Sequence, residues 1–139
     1  MSGYLIDTNV VSELTKASPD SGVVAFLSEQ DNLWLSPVVL HELEFGLQSL
    51  PRGRRRDGLQ QVLSDFITEF EDRILPLERI EAVWAARLRV EAHLAGRVLH
   101  LGDALIAGTA KAHGLSVATR NVSDFDGLDV SVTNPWQTP

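Results

Sequence analysis

The chain has no cysteine and few positive charges. Among its 139 residues the absence of cysteine excludes disulfides and thiolate metal sites, so any metal must be held by oxygen or imidazole ligands. Such ligands favour hard cations, in particular Mg2+ and Mn2+. The net charge of −7 argues against nucleic-acid binding by bulk electrostatics. It does not exclude a nuclease, because a bound divalent metal can reverse the local sign of an acidic site.

Long hydrophobic runs are also missing. No stretch approaches the roughly 20 apolar residues of a membrane helix, and the start of the chain lacks the basic region that precedes the apolar run of a signal peptide. We therefore expect a cytoplasmic protein with no membrane contact. The hydrophobic fraction of 44% and the charged fraction of 22% are typical of globular proteins, and the length suits a single domain over residues 1–139.

Short apolar runs alternate with helical patterns along the chain. Helices are predicted between the apolar runs, and Asn9 is expected to cap the first, from Val10 to about Lys16. This alternation predicts an α/β protein with a mostly parallel sheet. The predicted strands are Tyr4–Ile6, Leu33–Leu35, Ile74–Leu77, Ser116–Thr119 and Leu128–Val132.

Several carboxylates fall where such a sheet binds ligands. Asp7 closes the first strand, Asp103 lies at the start of an alanine-rich helix, and Asp124 follows the strand that ends near Thr119. Ligands in open α/β sheets bind outside the carboxyl ends of the strands, so these three acids are expected near one place. Glu42 lies inside a helix and must reach the same edge by its longer side chain.

Each acid also has a purely structural interpretation. Asp103 could cap its helix, Asp124 could hold a turn with Ser123, and Glu42 could be an exposed helix residue. Asp7 is the hardest to explain in this way, because a carboxylate directly after a buried strand is costly unless it is paired, hydrogen-bonded or metal-bound. Clustered carboxylates repel one another, and a divalent ion relieves that repulsion while it activates water for phosphodiester hydrolysis.

Polar residues beside these acids could orient them. Thr8 and Asn9 follow Asp7 directly, and Thr119 and Asn121 lie at the end of a neighbouring strand, so all four are candidates for supporting hydrogen bonds.

Other catalytic patterns are absent from the sequence. The segment His41–Phe45 begins like the HExxH motif of zinc proteases but has Phe in place of the second His. No glycine-rich phosphate loop and no GxSxG motif is present. His100 lies close to Asp103, and a polar surface histidine is the favoured interpretation there.

Four segments together resemble a known family, the PIN-domain ribonucleases. Their order and spacing are most similar to the toxin subunits of VapBC-type toxin–antitoxin pairs, and the closing VSVTNPW (residues 130–136) is similar to the FitB branch of that group. The segments are LIDTNVVSEL (residues 5–14), SPVVLHELEFG (36–46), DALIAGTA (103–110) and ATRNVSDF (118–125).

The resemblance implies a three-layer α/β/α fold with a central, mostly parallel sheet, and an endoribonuclease that depends on Mg2+ or Mn2+. Asp7, Glu42 and Asp103 match the three most characteristic acids of the family, and Asp124 matches a fourth. These four are expected to be both the catalytic residues and the metal ligands. In some FitB-like members the fourth acid lies nearer the position of Asn121, and Asp126 is a further rival.

The family also implies partners. We expect an RNA substrate, a homodimer, and a cognate antitoxin that places a side chain near the acids and supplies any DNA binding in a larger toxin–antitoxin assembly. Arg120, or the cluster from Arg52 to Arg56, is a candidate for contact with the RNA backbone. Two alternative functions are a non-catalytic module that binds a partner and, through it, DNA, and a structure-specific DNA nuclease.

Overall fold

A computed structural model describes residues 3–137 of the chain. In this part of the chain four short parallel strands form one sheet in the order β2-β1-β3-β4, and helices flank it. Because all the pairings are parallel, the carboxyl ends of the strands lie along the same edge. The strands are β1 (Tyr4–Ile6), β2 (Leu33–Trp34), β3 (Ser116–Ala118) and β4 (Val132–Thr133).

Six α-helices connect and cover the strands within the described residues. The third begins after Ser36, whose hydroxyl accepts the N–H of Val38 at 3.1 Å, and Pro37 occupies the first turn, where its missing donor costs nothing. The helices are α1 (Thr8–Glu13), α2 (Ser21–Glu29), α3 (Pro37–Gln48), α4 (Arg54–Glu69), α5 (Arg79–Leu94) and α6 (Leu101–Ala112).

The most extensive contact between two helices is the one between α5 and α6. Gly108 of α6 lies against the backbone of Ala85, so closely that a Cβ at this glycine would come within 2.5 Å of the Ala85 nitrogen. Beside this contact the buried carboxylate of Glu81 lies 2.8 Å from His113 Nε2. This packing fixes the direction of α6, whose first turn points to the carboxyl edge of the sheet.

Two predicted strands differ from the structure. The segment Ile74–Leu77 is reduced to a single bridge between Ile74 and Leu35. The prediction of a strand at Leu128–Val132 is wrong, since the strand lies at Val132–Thr133. The residues before it form turns instead, in which the N–H of Leu128 donates to the carbonyl of Phe125.

The first helix starts earlier than predicted and has a different cap. Asp7 is the N-cap of α1, and the N–H of Thr8 donates to Asp7 Oδ1 at 2.8 Å. Asn9, the predicted cap, lies inside the helix and its amide points elsewhere. The acid that closes β1 therefore also opens α1, which leaves no loop between strand and helix.

No helix in residues 3–137 combines the length and apolar character required to span a bilayer. The cytoplasmic location stays a prediction.

Candidate active site

Four acids from four separate elements meet at the carboxyl edge of the sheet. Asp7 lies between β1 and α1, and Glu42 lies in the middle of α3. Asp103 occupies the first turn of α6, and Asp124 lies in a short 3-10 turn, Val122–Phe125, after β3. The charges of Glu42 and Asp124 raise the pKa of Asp7, and those of Asp7, Asp124 and Glu42 raise the pKa of Asp103. The structure therefore brings these four acids together.

Asp7 is the most buried of the four, with 6% of its surface exposed. Its Oδ1 accepts the N–H of Thr8 at 2.8 Å, and its Oδ2 accepts the hydroxyl of Thr119 at 2.8 Å. Burial raises the pKa of this carboxyl, the two hydrogen bonds act against that rise, and the negative charges of Glu42 and Asp124 add to it. Both oxygens are satisfied, yet the charged form remains costly.

A network of hydrogen bonds around Thr119 fixes this part of the site. The amide of Asn9 donates to the Thr119 hydroxyl oxygen at 3.1 Å and lies 3.4 Å from Asp7 Oδ2. The backbone N–H of Asn121 also donates to the Thr119 hydroxyl, at 3.1 Å. Asn9 Oδ1 in turn accepts the N–H of Arg120 at 3.2 Å. Asn9 and Thr119 therefore contact Asp7 through their side chains, and Asn121 enters the network through its backbone N–H.

Glu42 reaches the site because another side chain holds it there. The Thr8 hydroxyl donates to Glu42 Oε1 at 2.5 Å, so Thr8 orients Glu42 through its hydroxyl and Asp7 through its backbone. The other oxygen, Oε2, is 3.5 Å from where a Cβ would stand on Gly102 in the first turn of α6. The neighbouring Glu44 behaves differently, since its carboxylate accepts the amide of Gln48 on the same helix at 2.9 Å.

Asp103 carries the largest resolved electrostatic perturbation in the cluster. Burial, followed by the charges of Asp7, Asp124 and Glu42, raises its pKa to about 6, while His100 acts in the opposite direction. His100, not Asp103, is the N-cap of α6. The interpretation of Asp103 as a simple helix cap is therefore wrong, and the acid instead faces three other carboxylates.

The position of Asp124 depends on a residue that the sequence reasoning missed. Arg97, in the loop between α5 and α6, donates from Nη2 to the carbonyl of Ser123 at 2.9 Å, and Phe125 anchors the other end of the turn in the core. Asp124 is among the charges that chiefly raise the pKa of Asp7 and of Asp103, whereas Asp126 is not. Nothing near Arg97 in the sequence signals this role, because its partner lies 26 residues away.

The four acids have the donor chemistry of a site for a hard divalent cation, although their side chains do not converge on one point. Carboxylate oxygens are the ligands that Mg2+ and Mn2+ prefer, and the raised pKa values of Asp7 and Asp103 show that a cation would neutralise charge here. Within residues 3–137, no three Asp, Glu or His side chains already converge as ligands for one ion. Binding of a metal therefore requires rotation of these side chains or bridging water. The residue types themselves fit a divalent cation.

An apolar groove of about 440 Å³ opens beside the acids. It lies between α3 and α6, and its walls include Val38, His41, Leu101 and Leu105. Glu42 lies at its border and belongs to both features. The side chain of Leu101 is 57% exposed, so the groove presents apolar surface to solvent directly next to negative charge.

Comparison with known proteins agrees with this geometry. The PIN-domain family model matches residues 4–129. The VapC ribonuclease Y4jK of Sinorhizobium fredii is 39% identical over 136 residues, which cover 96% of this chain and 97% of that protein. Toxin FitB of Neisseria gonorrhoeae is 38% identical over 135 residues, with coverages of 95% and 97%. A solved structure of FitAB bound to an IR36 DNA fragment has a TM-score of 0.89 and 34% identity, with coverages of 98% and 97%. The chain belongs to the PIN-domain family.

Proposed function

We propose that this protein is the ribonuclease toxin of a toxin–antitoxin pair and that it hydrolyses RNA phosphodiester bonds at the acidic cluster. The observation that carries the proposal is the meeting of Asp7, Glu42, Asp103 and Asp124 from four elements at the carboxyl edge of the sheet. Such a cluster is costly for the fold, because like charges oppose one another in a partly buried place. Similar chains named as a VapC ribonuclease and as toxin FitB supply the reaction class.

The proposed cofactor is Mg2+ or Mn2+, with Asp7, Asp103 and Asp124 as ligands and Glu42 as a further ligand or water partner. When bound, such a cation polarises a phosphate oxygen and lowers the pKa of bound water. Thr119 and the backbone of Thr8 keep both oxygens of Asp7 in place, and the Thr8 hydroxyl holds Glu42 toward the cluster. These contacts prepare the carboxylates before substrate binds, which limits the reorganisation needed during reaction.

The protonation of Asp103 also fits a cation site. With a pKa of about 6, part of this carboxyl keeps its proton near neutral pH when no cation is present. A divalent ion would favour the charged form and release that proton. Metal affinity would accordingly rise between pH 5 and pH 7.

The proposed protein partner is an antitoxin that covers the apolar groove. Val38, Leu101 and Leu105 offer an apolar surface, and the acids beside it suit an arginine, because a guanidinium pairs with carboxylates through two parallel hydrogen bonds. We further propose a toxin homodimer within a larger toxin–antitoxin assembly, and DNA binding through the antitoxin alone. The solved relative described as FitAB bound to an IR36 DNA fragment supports a partner protein and a DNA-bound assembly.

The test is RNA cleavage by the purified chain with Mg2+, with Mn2+ and with a chelator. We expect cleavage with either metal, none with the chelator, and a loss of at least a hundredfold in Asp7→Asn and in Asp103→Asn. Asp126→Asn is the matched control, because it removes the same charge from an exposed position near Asp124. Equal cleavage by wild type and Asp7→Asn would refute the site assignment.

Toxicity on expression separates catalysis from binding alone. If the acids serve only to dock a basic partner side chain, Asp103→Asn leaves toxicity in the absence of antitoxin unchanged. If the protein is a ribonuclease, the same substitution abolishes toxicity, and Asp126→Asn retains it. Parallel assays on single-stranded DNA distinguish RNA from DNA as the substrate.

A further inference from the structure

Arg120 is anchored by its backbone to the hydrogen-bond network that holds Asp7. It directly follows Thr119, whose hydroxyl donates to Asp7 Oδ2 at 2.8 Å, and its own N–H donates to Asn9 Oδ1 at 3.2 Å. Its side chain is exposed at the same edge of the sheet. The backbone of Arg120 is therefore tied to the network that holds Asp7.

The Arg120 guanidinium lies over the ring of Trp136, 5.1 Å from the ring centroid. Trp136 is partly buried against the core, and its backbone N–H donates to Asn134 Oδ1 at 2.9 Å, so the residue that carries the indole is anchored at its backbone. A guanidinium over an indole is attracted by the negative face of the ring. This contact restricts a long side chain that would otherwise sample many rotamers.

The donors of this guanidinium are not consumed by the part of the chain that the structure describes. The charge of Arg120 lowers the pKa of Glu13, but Glu13 already accepts the Lys16 ammonium at 2.9 Å and the N–H of Asp20 at 2.9 Å. Over residues 3–137 the guanidinium makes no ion pair within 4 Å and donates no hydrogen bond. Arg120 is exposed, so its guanidinium is accessible to a ligand.

We propose that Arg120 binds a phosphate of the RNA strand next to the one that is cleaved, and that Trp136 is the positioning residue that holds Arg120 for this contact. The inference rests on the proposed ribonuclease function and adds a substrate-binding residue to it. A guanidinium matches phosphate geometry through paired N–H donors. In a chain of net charge −7, a fixed cation beside the acids also offsets their repulsion of the RNA backbone.

A neighbouring phosphate is favoured over the cleaved one by the place of the guanidinium. It lies over the ring of Trp136 and its charge acts on Glu13, and neither residue belongs to the acidic cluster. Its charge therefore lies outside the immediate cluster. It would bind substrate and transition state equally, which changes KM and leaves kcat unchanged.

The test measures RNA binding separately from cleavage. In an Asp103→Asn background with Mg2+, a fluorescent single-stranded RNA of randomised sequence is titrated at several salt concentrations. We expect Arg120→Gln to weaken binding about tenfold and to reduce the slope of log Kd against log salt by about 0.7, the value for one phosphate contact on a single strand. Arg89→Gln is the control, because it removes one exposed charge from α5 and is expected to leave the slope unchanged.

A double-mutant cycle tests the role of Trp136. Trp136→Leu is expected to weaken RNA binding severalfold when Arg120 is present and not at all in the Arg120→Gln background, whereas Trp136→Phe retains most of the affinity because the ring is kept. Thermal melts identify any variant that fails to fold, and Trp136→Phe then carries the comparison. Equal slopes for Arg120→Gln and Arg89→Gln would overturn the phosphate contact, and additive losses would overturn the positioning role.

The two proposals can fail independently. Absence of RNA cleavage by the wild type with either metal refutes the ribonuclease function. Cleavage by the wild type together with unchanged KM in Arg120→Gln refutes only the inference about Arg120.

Discussion

Replacing Asp103 of the cluster with asparagine should make the metal-free protein more stable. In the folded protein Asp103 has a pKa of about 6 against an ordinary value of 3.8. A carboxyl whose folded-state pKa is raised contributes stability below its unfolded pKa and loses it as the pH rises through the folded value. At pH 8 the ionised Asp103 is therefore a cost to the fold, and Asp103→Asn removes that cost.

The size of this gain follows from the shift. About two pKa units correspond to about 3 kcal/mol at 1.36 kcal/mol per unit. Because the carboxyl is partly exposed and solvent screens its charge, we reduce this to about 1–2 kcal/mol. The variant also loses the favourable interaction of an acid with the first turn of α6, about 0.5 kcal/mol. The net expectation is about 1 kcal/mol, or an increase in Tm of about 3–5 °C for a chain of this length.

The assay is urea denaturation followed by tryptophan fluorescence in a chelator, at pH 8 and at pH 4. We expect Asp103→Asn to be the more stable protein at pH 8, and the difference from wild type to shrink to nearly zero at pH 4. Asp126→Asn makes the same change in net charge at an exposed site and should match wild type at both values of pH. Unchanged or lower stability of Asp103→Asn at pH 8 would refute the reasoning that the acids repel one another. A gain in stability of the same size at pH 4 would refute it as well.

Three further predictions follow from contacts in the structure. Glu42→Gln should reduce RNA cleavage at least tenfold in a steady-state assay. Glu44→Gln, two residues further along the same helix and bonded within it, should not reduce cleavage, and equal rates for the two variants would remove Glu42 from the site. Thr119→Val deletes the hydroxyl that donates to the Asp7 carboxylate, and it should lower the metal affinity measured by calorimetry about 10–100-fold. Thr119→Ser keeps a hydroxyl and should retain most of the affinity. A serine variant that binds metal as weakly as the valine variant would contradict the role of the hydroxyl. Gly108→Ala should destabilise the fold by about 1–3 kcal/mol in urea, since the new methyl meets backbone at 2.5 Å. Gly46→Ala has no atom within 4 Å and should stabilise its helix by up to about 1 kcal/mol; similar effects of the two alanines would contradict the close packing of α5 and α6.

The parts of the site that the sequence predicts are those set by local pattern. Asp7 directly follows an apolar run, and Asp103 stands at the start of an apolar helix, so strand ends and helix starts alone place both at the carboxyl edge of a parallel sheet. The same local reasoning fails at Leu128–Val132. There, alternating apolar and polar residues are equally compatible with the successive turns that precede β4, because period-two burial requires only that every second side chain face the core.

Glu42 shows a second limit, which is distance along the chain. Its neighbour Glu44 has the same chemistry and lies on the same helix, and no periodicity distinguishes an acid that serves the site from one that bonds within its helix. The distinction comes from the Thr8 hydroxyl, 34 residues away. Only the register between α1 and α3 brings the two together.

The choice between Asp124 and Asp126 depends on a longer chain of causes. Asp124 lies inside the 3-10 turn and Asp126 is its C-cap, and the buried Phe125 between them holds the turn against the core. Arg97 then ties the turn down through the carbonyl of Ser123, which leaves Asp124 close enough to raise the pKa of Asp7. Arg97→Gln should therefore weaken the coupling between Asp124 and Asp7 without removing any acid. Its expected signature is a lower pKa for Asp7, measured by carboxyl NMR in metal-free protein, and an unchanged Asp7 pKa would show that the turn is held without the arginine.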